Sequence, residues 1–495
     1  MDEGTSTPAT TPTLDQLLVE QGLPPFEGSG SITIDDLTED SRKVRTGSIF
    51  LARSGAVVDG RDFIAQAEAA GAAAVLTDAK GAAQAHGPVI LTDDPAGVGA
   101  KLAHAVHGDP SDVVQVAGIT GTNGKTTCAV LLQHLLNAAG RRCGRIGGID
   151  VDDGGTGVPT AAALTTPAAC EIAGLLGRMR DNRCVAAAME VSSQAIATGR
   201  LDGTRFAAAI FTNLSGDHLD LHGDMETYRQ CKLHWLESLG DVPRIVNIDD
   251  AAGSTVRGDR ITVGVGGDVQ FSITQADLEG QRLTVQTPWG QADLVLPLTG
   301  AHNAMNAAQS LAAACSMGAS FDSVCAALST APTPRGRLQM LARPDGAPRV
   351  FVDFAHTDGA LDAMLSSVRP LVPSSGRLIV VFGCGGDRDT EKRPRMAAAA
   401  CRHAEVVWLT SDNPRSEDPD AILDHIECGV PDGACVHRQV DRATAIAGAI
   451  AMAGADDVIV IAGKGHECVQ LIGDRSVEFN DVQVAGAALQ QVVGQ

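Results

Sequence analysis

The twelve cysteines of this 495-residue chain form no C-x-x-C pair and no regular framework, which excludes a disulfide-stapled scaffold. Several of them, including Cys184, Cys315 and Cys401, lie in apolar runs and read as reduced cytosolic thiols. A membrane-spanning run is missing too. The longest nearly uninterrupted apolar stretch, Ala443 to Ala455, is too short and too rich in Gly and Ala to cross a bilayer. No charged-then-apolar signal opens the sequence, so the expected address is cytoplasmic, without membrane insertion. Basic residues are in deficit, 38 against 60 acidic ones, for a formal charge of -22. That balance argues against a general binder of nucleic acid or acidic membranes. Anionic substrates must then be met by local, ordered Arg, Lys and helix N-termini. No internal repeat of short fixed period is present.

What the chain does have is the segment Gly118-Ile-Thr-Gly-Thr-Asn-Gly-Lys-Thr-Thr127. It follows the apolar run 113–117 and opens an amphipathic stretch from Lys125 to Ala139, giving a strand, a glycine-rich turn and a helix. Glycines allow a tight turn in which successive N–H groups and the positive helix end face a polyphosphate. Lys125 is the expected charge clamp and Thr126 the expected hydroxyl for Mg²⁺. The spacing departs from the standard Walker A, which would require glycine where Ile119 stands.

The length exceeds one ordinary core, and three domains are expected. Residues 1–12 are Thr/Pro/Ser-rich and expected to be disordered. Residues 13–109 alternate short elements as a small α/β domain. Residues 110–335 carry strands ending near Ala117, Glu190, Thr212 and Asp249 with helices between, the pattern of a largely parallel, doubly wound sheet. Alternation over 262–298 around Pro288-Trp289-Gly290 predicts a hairpin appended to that sheet. Past the Pro332-Thr-Pro-Arg-Gly-Arg337 segment, residues 336–495 bring four more apolar strands and a second α/β domain of Rossmann type.

In such sheets ligands bind beyond the carboxyl ends of the strands. Four charged loops follow strands of the last domain: Asp353 with His356, Gly383 to Asp389, Ser411 to Arg415, and Gly463 to Glu467. They are expected to converge on one rim. In the middle domain, Glu190 ends a strand, His218 sits in Asn213-Leu-Ser-Gly-Asp-His-Leu-Asp220, and Lys232 lies on the next helix. A carboxylate beyond the strand next to a phosphate loop suits the nucleotide's Mg²⁺. An ammonium beside a metal is repelled unless carbon dioxide has converted it to an anionic carbamate; most helix lysines are simply solvated.

With these motifs in this order, from Asp40-Ser-Arg42 to Gly463-Lys-Gly-His-Glu467, the chain resembles the Mur ligase family, and within it the ligases that add the third residue of the peptidoglycan stem peptide. The resemblance implies a three-domain α/β architecture with a central P-loop parallel sheet. It implies ATP-dependent addition of meso-diaminopimelate to UDP-N-acetylmuramoyl-L-alanyl-D-glutamate through an acyl phosphate, by a monomeric enzyme using Mg²⁺. The ATP loop of the family falls on Gly121, Thr122, Asn123, Gly124, Lys125, Thr126 and Thr127; its metal-binding acid and histidine on Glu190 and His218; its carbamylated lysine on Lys232. Asn303, Asn306, Arg337 and Asp353 match positions that hold adenine or ribose. Ser41, Ala56, Val57 and Val58 would meet the uridine nucleotide, and Thr165, Thr166, Ser192, Thr198 and Arg200 the muramoyl peptide. Arg388, Asp412, Asn413, Pro414, Arg415, Gly463 and Glu467 match the diaminopimelate pocket. Gln194, Thr198, Gly216, Phe354 and Asp358 depart from the usual pattern, whereas Lys125, Glu190, His218, Lys232 and Arg415 do not.

Overall fold

A computed structural model describes residues 12–55, 58–216 and 223–492. The segment expected to be disordered falls almost entirely on residues 1–11, outside the described residues. The described residues fall into two compact units, one drawn from the stretches up to 118, 140–209 and 238–242, the other from 119–139, 210–237 and the stretch from 243 onward.

In the first unit, β1 (Asp36–Thr38), β2 (Ser48–Ala52), β3 (Ala74–Thr77) and β4 (Val89–Leu91) form a parallel sheet in sequence order. Every residue of β2 and β3 is buried, as parallel strands covered on both faces require. Leu14, Leu17 and Leu18 of the first helix pack with Ile49, Leu51 and Leu76 in one core. The helix Pro95–Val106 opens on Pro at its first turn, capped by the Asp94 carboxylate on the Gly97 N–H.

A second sheet of eight strands contains β5 (Gln115–Thr120), β6 (Cys143–Ile146), β7 (Asp150–Asp152), β8 (Thr160–Ala161), β9 (Ala186–Glu190), β10 (Phe206–Phe211), β11 (Arg244–Asn247) and β12 (Arg260–Val263). Its order is β12-β11-β10-β5-β9-β6-β7-β8. The β6/β9 and β11/β12 pairs are parallel; β7 and β8 add an antiparallel edge.

The hairpin expected at 262–298 is instead a separate antiparallel sheet of three strands, β13 (Gln270–Asp277), β14 (Gly280–Thr287) and β15 (Gly290–Leu296). A second tight turn causes this: the Asp277 carboxylate accepts from the N–H groups of Glu279 and Gly280 and reverses the chain ahead of the Trp289 turn.

The last sheet sets the candidate site. It holds β16 (Gln339–Met340), β17 (Arg349–Asp353), β18 (Leu378–Phe382), β19 (Val406–Leu409), β20 (Val436–Arg438) and β21 (Val458–Ala462), in the order β16-β17-β21-β18-β19-β20. Continuous β-branched runs such as Val458-Ile-Val-Ile-Ala462 are buried along their whole length. Alternation splits them between two cores. Leu378, Val380 and Phe382 face Leu361, Leu365, Met396 and Leu423. Ile379 and Val381 face Ala445, Ile446, Ile450, Ala485 and Leu489. Each fully buried Leu or Val contributes about 1.5–3 kcal/mol relative to an exposed one. The sheet is thus fixed rigidly from both sides, and its strand ends can present loops with little backbone motion. The apolar stretch at 443–455 is largely the helix Arg442–Ala451, and no helix among the described residues is long and apolar enough to cross a membrane.

Candidate active site

Within the second unit, the glycine-rich loop joins β5 to the helix Lys125–Ala138, as the spacing predicts. Two of its glycines are obligatory. Gly121 has φ 144°, and a Cβ there would lie 1.9 Å from the Thr212 hydroxyl; Gly124 has φ 87°, and a Cβ would lie 2.6 Å from Asn306 Oδ1. Residues 212–215 brace the loop. Thr122 N–H donates to the Asn213 carbonyl (2.8 Å), Asn123 N–H to Asn213 Oδ1 (3.0 Å), and the Thr212 hydroxyl to the Asn123 carbonyl (2.6 Å). The ammonium of Lys125 donates to the carbonyls of Gly121 (2.9 Å) and Thr122 (2.8 Å), so its charge is held over the mouth of the loop.

Lys232 joins this group. It is 1% exposed, its Nζ donates to the Gly121 carbonyl at 3.0 Å, and it stands 4.8 Å from the centre of the Tyr228 ring. The Tyr228 hydroxyl in turn lies 3.2 Å from the Thr122 hydroxyl. Asn303 and Asn306 share one buried face of the helix Ala301–Ser316. Asn306 Nδ2 donates to Asn303 Oδ1 at 3.2 Å, and Asn303 Nδ2 to the Thr299 carbonyl at 2.8 Å. From the other side, Arg337 Nη2 donates to the Thr126 hydroxyl at 3.2 Å while the guanidinium stacks 4.5 Å over the Phe354 ring. The carboxylate of Asp353 is occupied locally, accepting from the N–H groups of Leu338 (2.6 Å) and Ala355 (2.7 Å). Thr127 is buried in the first turn of its helix.

The four charged loops do meet at one end of the last sheet. Gly463 N–H donates to the Asp353 carbonyl (3.1 Å) and Gly386 N–H to the Asn413 carbonyl (2.9 Å). Asp412, Asn413 and Pro414 are buried, and Arg415, half-buried, takes φ 53°. Its backbone is pinned both ways to the hairpin of β22 (Val469–Ile472) and β23 (Arg475–Glu478): Arg415 N–H to the Leu471 carbonyl (3.0 Å), and Gly473 N–H to the Arg415 carbonyl (2.7 Å). One guanidinium nitrogen donates to the Gly386 carbonyl at 2.8 Å. Asn413 Nδ2 donates to Glu467 Oε2 at 2.9 Å. Arg388 is exposed in the neighbouring loop.

Sequence reading missed Lys464 here. It is fully buried, and its Nζ donates to Glu467 Oε2 (2.7 Å) and Asn413 Oδ1 (3.0 Å). Its place between two glycines directly after a strand was the available signal. Burial pushes the Asp412 carboxyl above its usual range, against the opposing charges of Arg442 and Lys464. Burial also acts upward on Glu467, but the Lys464 charge and the hydrogen bonds from Lys464 and Asn413 outweigh it and hold that carboxyl below its usual range.

In the first unit, Glu190 is 2% exposed and its Oε1 accepts from Gly148 N–H at 3.0 Å. Thr166 gathers the neighbours: its hydroxyl donates to the Glu190 carbonyl (2.8 Å) and lies 3.2 Å from Ser192 Oγ, and its carbonyl accepts from Arg200 (3.0 Å). Thr165 lies beside Gly148. Burial lowers the Arg200 pKa. Thr198 is exposed, its hydroxyl donating to the Gln194 carbonyl in the turn that ends a short helix. Ser41 lies in the loop after β1, with its hydroxyl on Gln66 at 3.2 Å, and Val58 is 57% exposed. Ala56, Val57 and His218 lie outside the described residues.

Three stretches match described family domains: "Mur ligase family, catalytic domain" over residues 33–116, "Mur ligase middle domain" over 119–314, and "Mur ligase, glutamate ligase domain" over 336–465. A UDP-N-acetylmuramoyl-L-alanyl-D-glutamate–2,6-diaminopimelate ligase of Coxiella burnetii is 39% identical over 486 residues, covering 93% of this chain and 96% of the relative. One of Synechococcus sp. WH7803 is 40% identical, covering 97% and 99%. A solved structure of a ligase of that name superimposes with a TM-score of 0.70 at 29% identity, covering 97% and 99% of the two chains. MurF from Thermotoga maritima, solved with ADP, shares the fold with a TM-score of 0.65 at 17% identity over 93% of this chain and 98% of its own. The chain belongs to the Mur ligase family.

Proposed function

We propose that this chain is the ATP-dependent ligase that joins meso-diaminopimelate to UDP-N-acetylmuramoyl-L-alanyl-D-glutamate in peptidoglycan precursor synthesis. The D-glutamyl carboxylate attacks the γ-phosphorus of ATP, giving an acyl phosphate and releasing ADP. An amine of diaminopimelate then adds to the acyl carbon, and the tetrahedral intermediate collapses with loss of phosphate and a proton to leave the amide. Lys125 and the N–H groups at the start of its helix stabilise charge on the transferring phosphoryl group. The Thr126 hydroxyl and the Glu190 carboxylate, hard oxygen donors, would hold a magnesium ion together with His218 and a carbamylated Lys232, and that ion would supply positive charge toward the phosphates.

The observation that carries the amino-acid assignment is the loop 412–415. It offers a guanidinium beside buried carboxylate and amide groups, in the same unit as the phosphate loop. Diaminopimelate differs from lysine by a carboxylate at its far end. A guanidinium binds that anion through paired hydrogen bonds and repels lysine's far ammonium. The proposed contacts are Arg388, Asp412 to Arg415, Gly463 and Glu467 for diaminopimelate; Ser41, Ala56, Val57, Val58, Thr165, Thr166, Ser192, Thr198 and Arg200 for the nucleotide-linked peptide; and Asn303, Asn306, Arg337 and Asp353 for adenosine. The matched domains support a division into 13–109, 110–335 and 336–495. The proposed working form is a cytoplasmic monomer.

The test is phosphate release from ATP and Mg²⁺ with the muramoyl dipeptide and, in turn, meso-diaminopimelate, L-lysine, L-ornithine and D-glutamate. Turnover is expected with diaminopimelate. Equal or faster turnover with lysine would reject the assignment.

A further inference from the structure

Arg442 stands where elementary electrostatics disfavours a cation. It has no exposed side-chain surface and is the first residue of the helix Arg442–Ala451, at the positive end of the helix dipole. Its compensation is specific. Nε and Nη2 donate to the two carboxylate oxygens of Asp481 at 2.8 and 2.7 Å, and Asp481 is equally buried. Two further donors reach main-chain carbonyls, Ala462 from Nη2 at 3.0 Å and Ser411 from Nη1 at 3.5 Å.

Those two carbonyls are placed to matter. Ala462 ends β21 and directly precedes Gly463; Ser411 directly precedes Asp412. One side chain therefore ties together the roots of the two loops that carry Asp412 to Arg415 and Gly463 to Glu467. Further out, Lys464 bonds to Asn413 and Glu467 and lies 3.9 Å from Asp412, linking the same two loops nearer their tips. Asp481 opens the helix Asp481–Val492, whose Ala485 and Leu489 pack under the sheet, so the pair is anchored to the core.

A buried ion pair is a poor device for stability alone, since apolar residues of similar volume often do as well or better. A residue that conflicts with its local setting is expected where function fixes it. We propose that the Arg442–Asp481 pair is a positioning device that sets the register between loops 411–415 and 463–467, and with it the geometry of the amino-acid subsite. Neither side chain has exposed surface with which to meet a substrate directly. The inference rests on the function proposed above.

The experiment compares Michaelis constants for all three substrates in the full-length enzyme, with thermal unfolding as the control for folding. The Arg442→Met/Asp481→Leu double variant removes the pair and keeps the volume. Arg442→Lys keeps the charge facing Asp481 but forfeits the bonds to Ser411 and Ala462. Both are expected to raise the constant for diaminopimelate by roughly tenfold or more, because displaced contact groups lose aligned binding. The constants for ATP and muramoyl dipeptide should stay within about twofold. If the double variant fails to fold, Arg442→Lys carries the test. An unchanged diaminopimelate constant in a folded variant, or an equal rise in all three constants, overturns the inference. Absence of diaminopimelate-dependent turnover in the wild type would instead reject the assigned function, so the two failures are distinguishable.

Discussion

Arg337 donates to the hydroxyl of Thr126 at 3.2 Å although 211 positions separate them in the chain. The contact brings a residue of the last matched domain onto the first turn of the helix that follows the phosphate loop. The Phe354 ring beneath the guanidinium holds it in that direction, a cation–π contact of the kind that contributes about 0.5–1 kcal/mol at a partly exposed site. Arg337→Ala is expected to raise the Michaelis constant for ATP by about tenfold, the worth of one hydrogen bond to a charged group. Phe354→Leu should raise it by roughly two- to fivefold. Steady-state kinetics at saturating amino acid and dipeptide would decide this, and an unchanged ATP constant in both variants would show that Arg337 only joins the two segments.

Lys232 is predicted to work as a carbamate. Its amine is buried against the phosphate loop rather than solvated, which is an unusual place for a helix lysine. Lys232→Arg keeps the positive charge and supplies no oxygens, and should lose roughly a hundredfold or more in turnover. Small carboxylates added to Lys232→Ala should restore part of it. Carbon-13 labelling with bicarbonate should give a carbamate resonance in the wild type that vanishes in Lys232→Ala; retention of activity in the arginine variant would refute the modification.

The phosphate loop was legible because its logic is local: an apolar run, glycines at the two tight positions, then a helix. The buried strands β18 and β19 were legible as apolar runs, since uninterrupted apolar stretches of four or five residues leave little choice of boundary. Short edge strands were not. β1, β4 and β20 have three residues each, too few for any periodicity to register. The extra turn at Asp277 to Gly280 was overlooked because its Asp-Leu-Glu-Gly sequence lacks the usual two-residue hairpin signal. Arg442 and Asp481 were beyond reach for another reason. Their bond spans 39 positions, and a lone arginine at a helix start gives no sign in sequence of being buried.

Acid should loosen the first unit through its buried histidines. His104 is 1% exposed, with Nε2 3.3 Å from the Thr204 hydroxyl, and burial lowers its pKa from 6.5 to about 4. Burial lowers the neighbouring His107 as well. Between these limits the unfolded chain binds a proton that the folded chain refuses. The contribution of neutral His104 is therefore complete above pH 6.5 and is lost as pH falls toward 4, amounting to roughly 3 kcal/mol. Urea unfolding followed from pH 7.5 to 4.5 should show stability falling with pH in the wild type and a flatter profile in His104→Gln. Parallel profiles would mean that acid acts elsewhere.

Arg415 is the residue on which the choice of the third amino acid is predicted to turn. Its backbone is already fixed at φ 53° by bonds to Leu471 and Gly473, so replacing the side chain leaves the loop's strain unchanged. Alanine at this φ is no worse accommodated than arginine. What is removed is a guanidinium that spends one nitrogen on the Gly386 carbonyl, which aims the rest of the group, and keeps other donors for a carboxylate. A charge-assisted bond of this type is worth about 1.5–3 kcal/mol, so Arg415→Ala should raise the diaminopimelate constant by roughly 10- to 100-fold. The constants for ATP and muramoyl dipeptide should change little, and discrimination against L-lysine should narrow because the repelling charge is gone. Arg415→Lys should recover only part of the loss, since an ammonium cannot pair with both carboxylate oxygens in one plane. If the diaminopimelate constant of Arg415→Ala equals that of the wild type, the far carboxylate is read by another group, and the loop 412–415 loses its place as the origin of amino-acid selection.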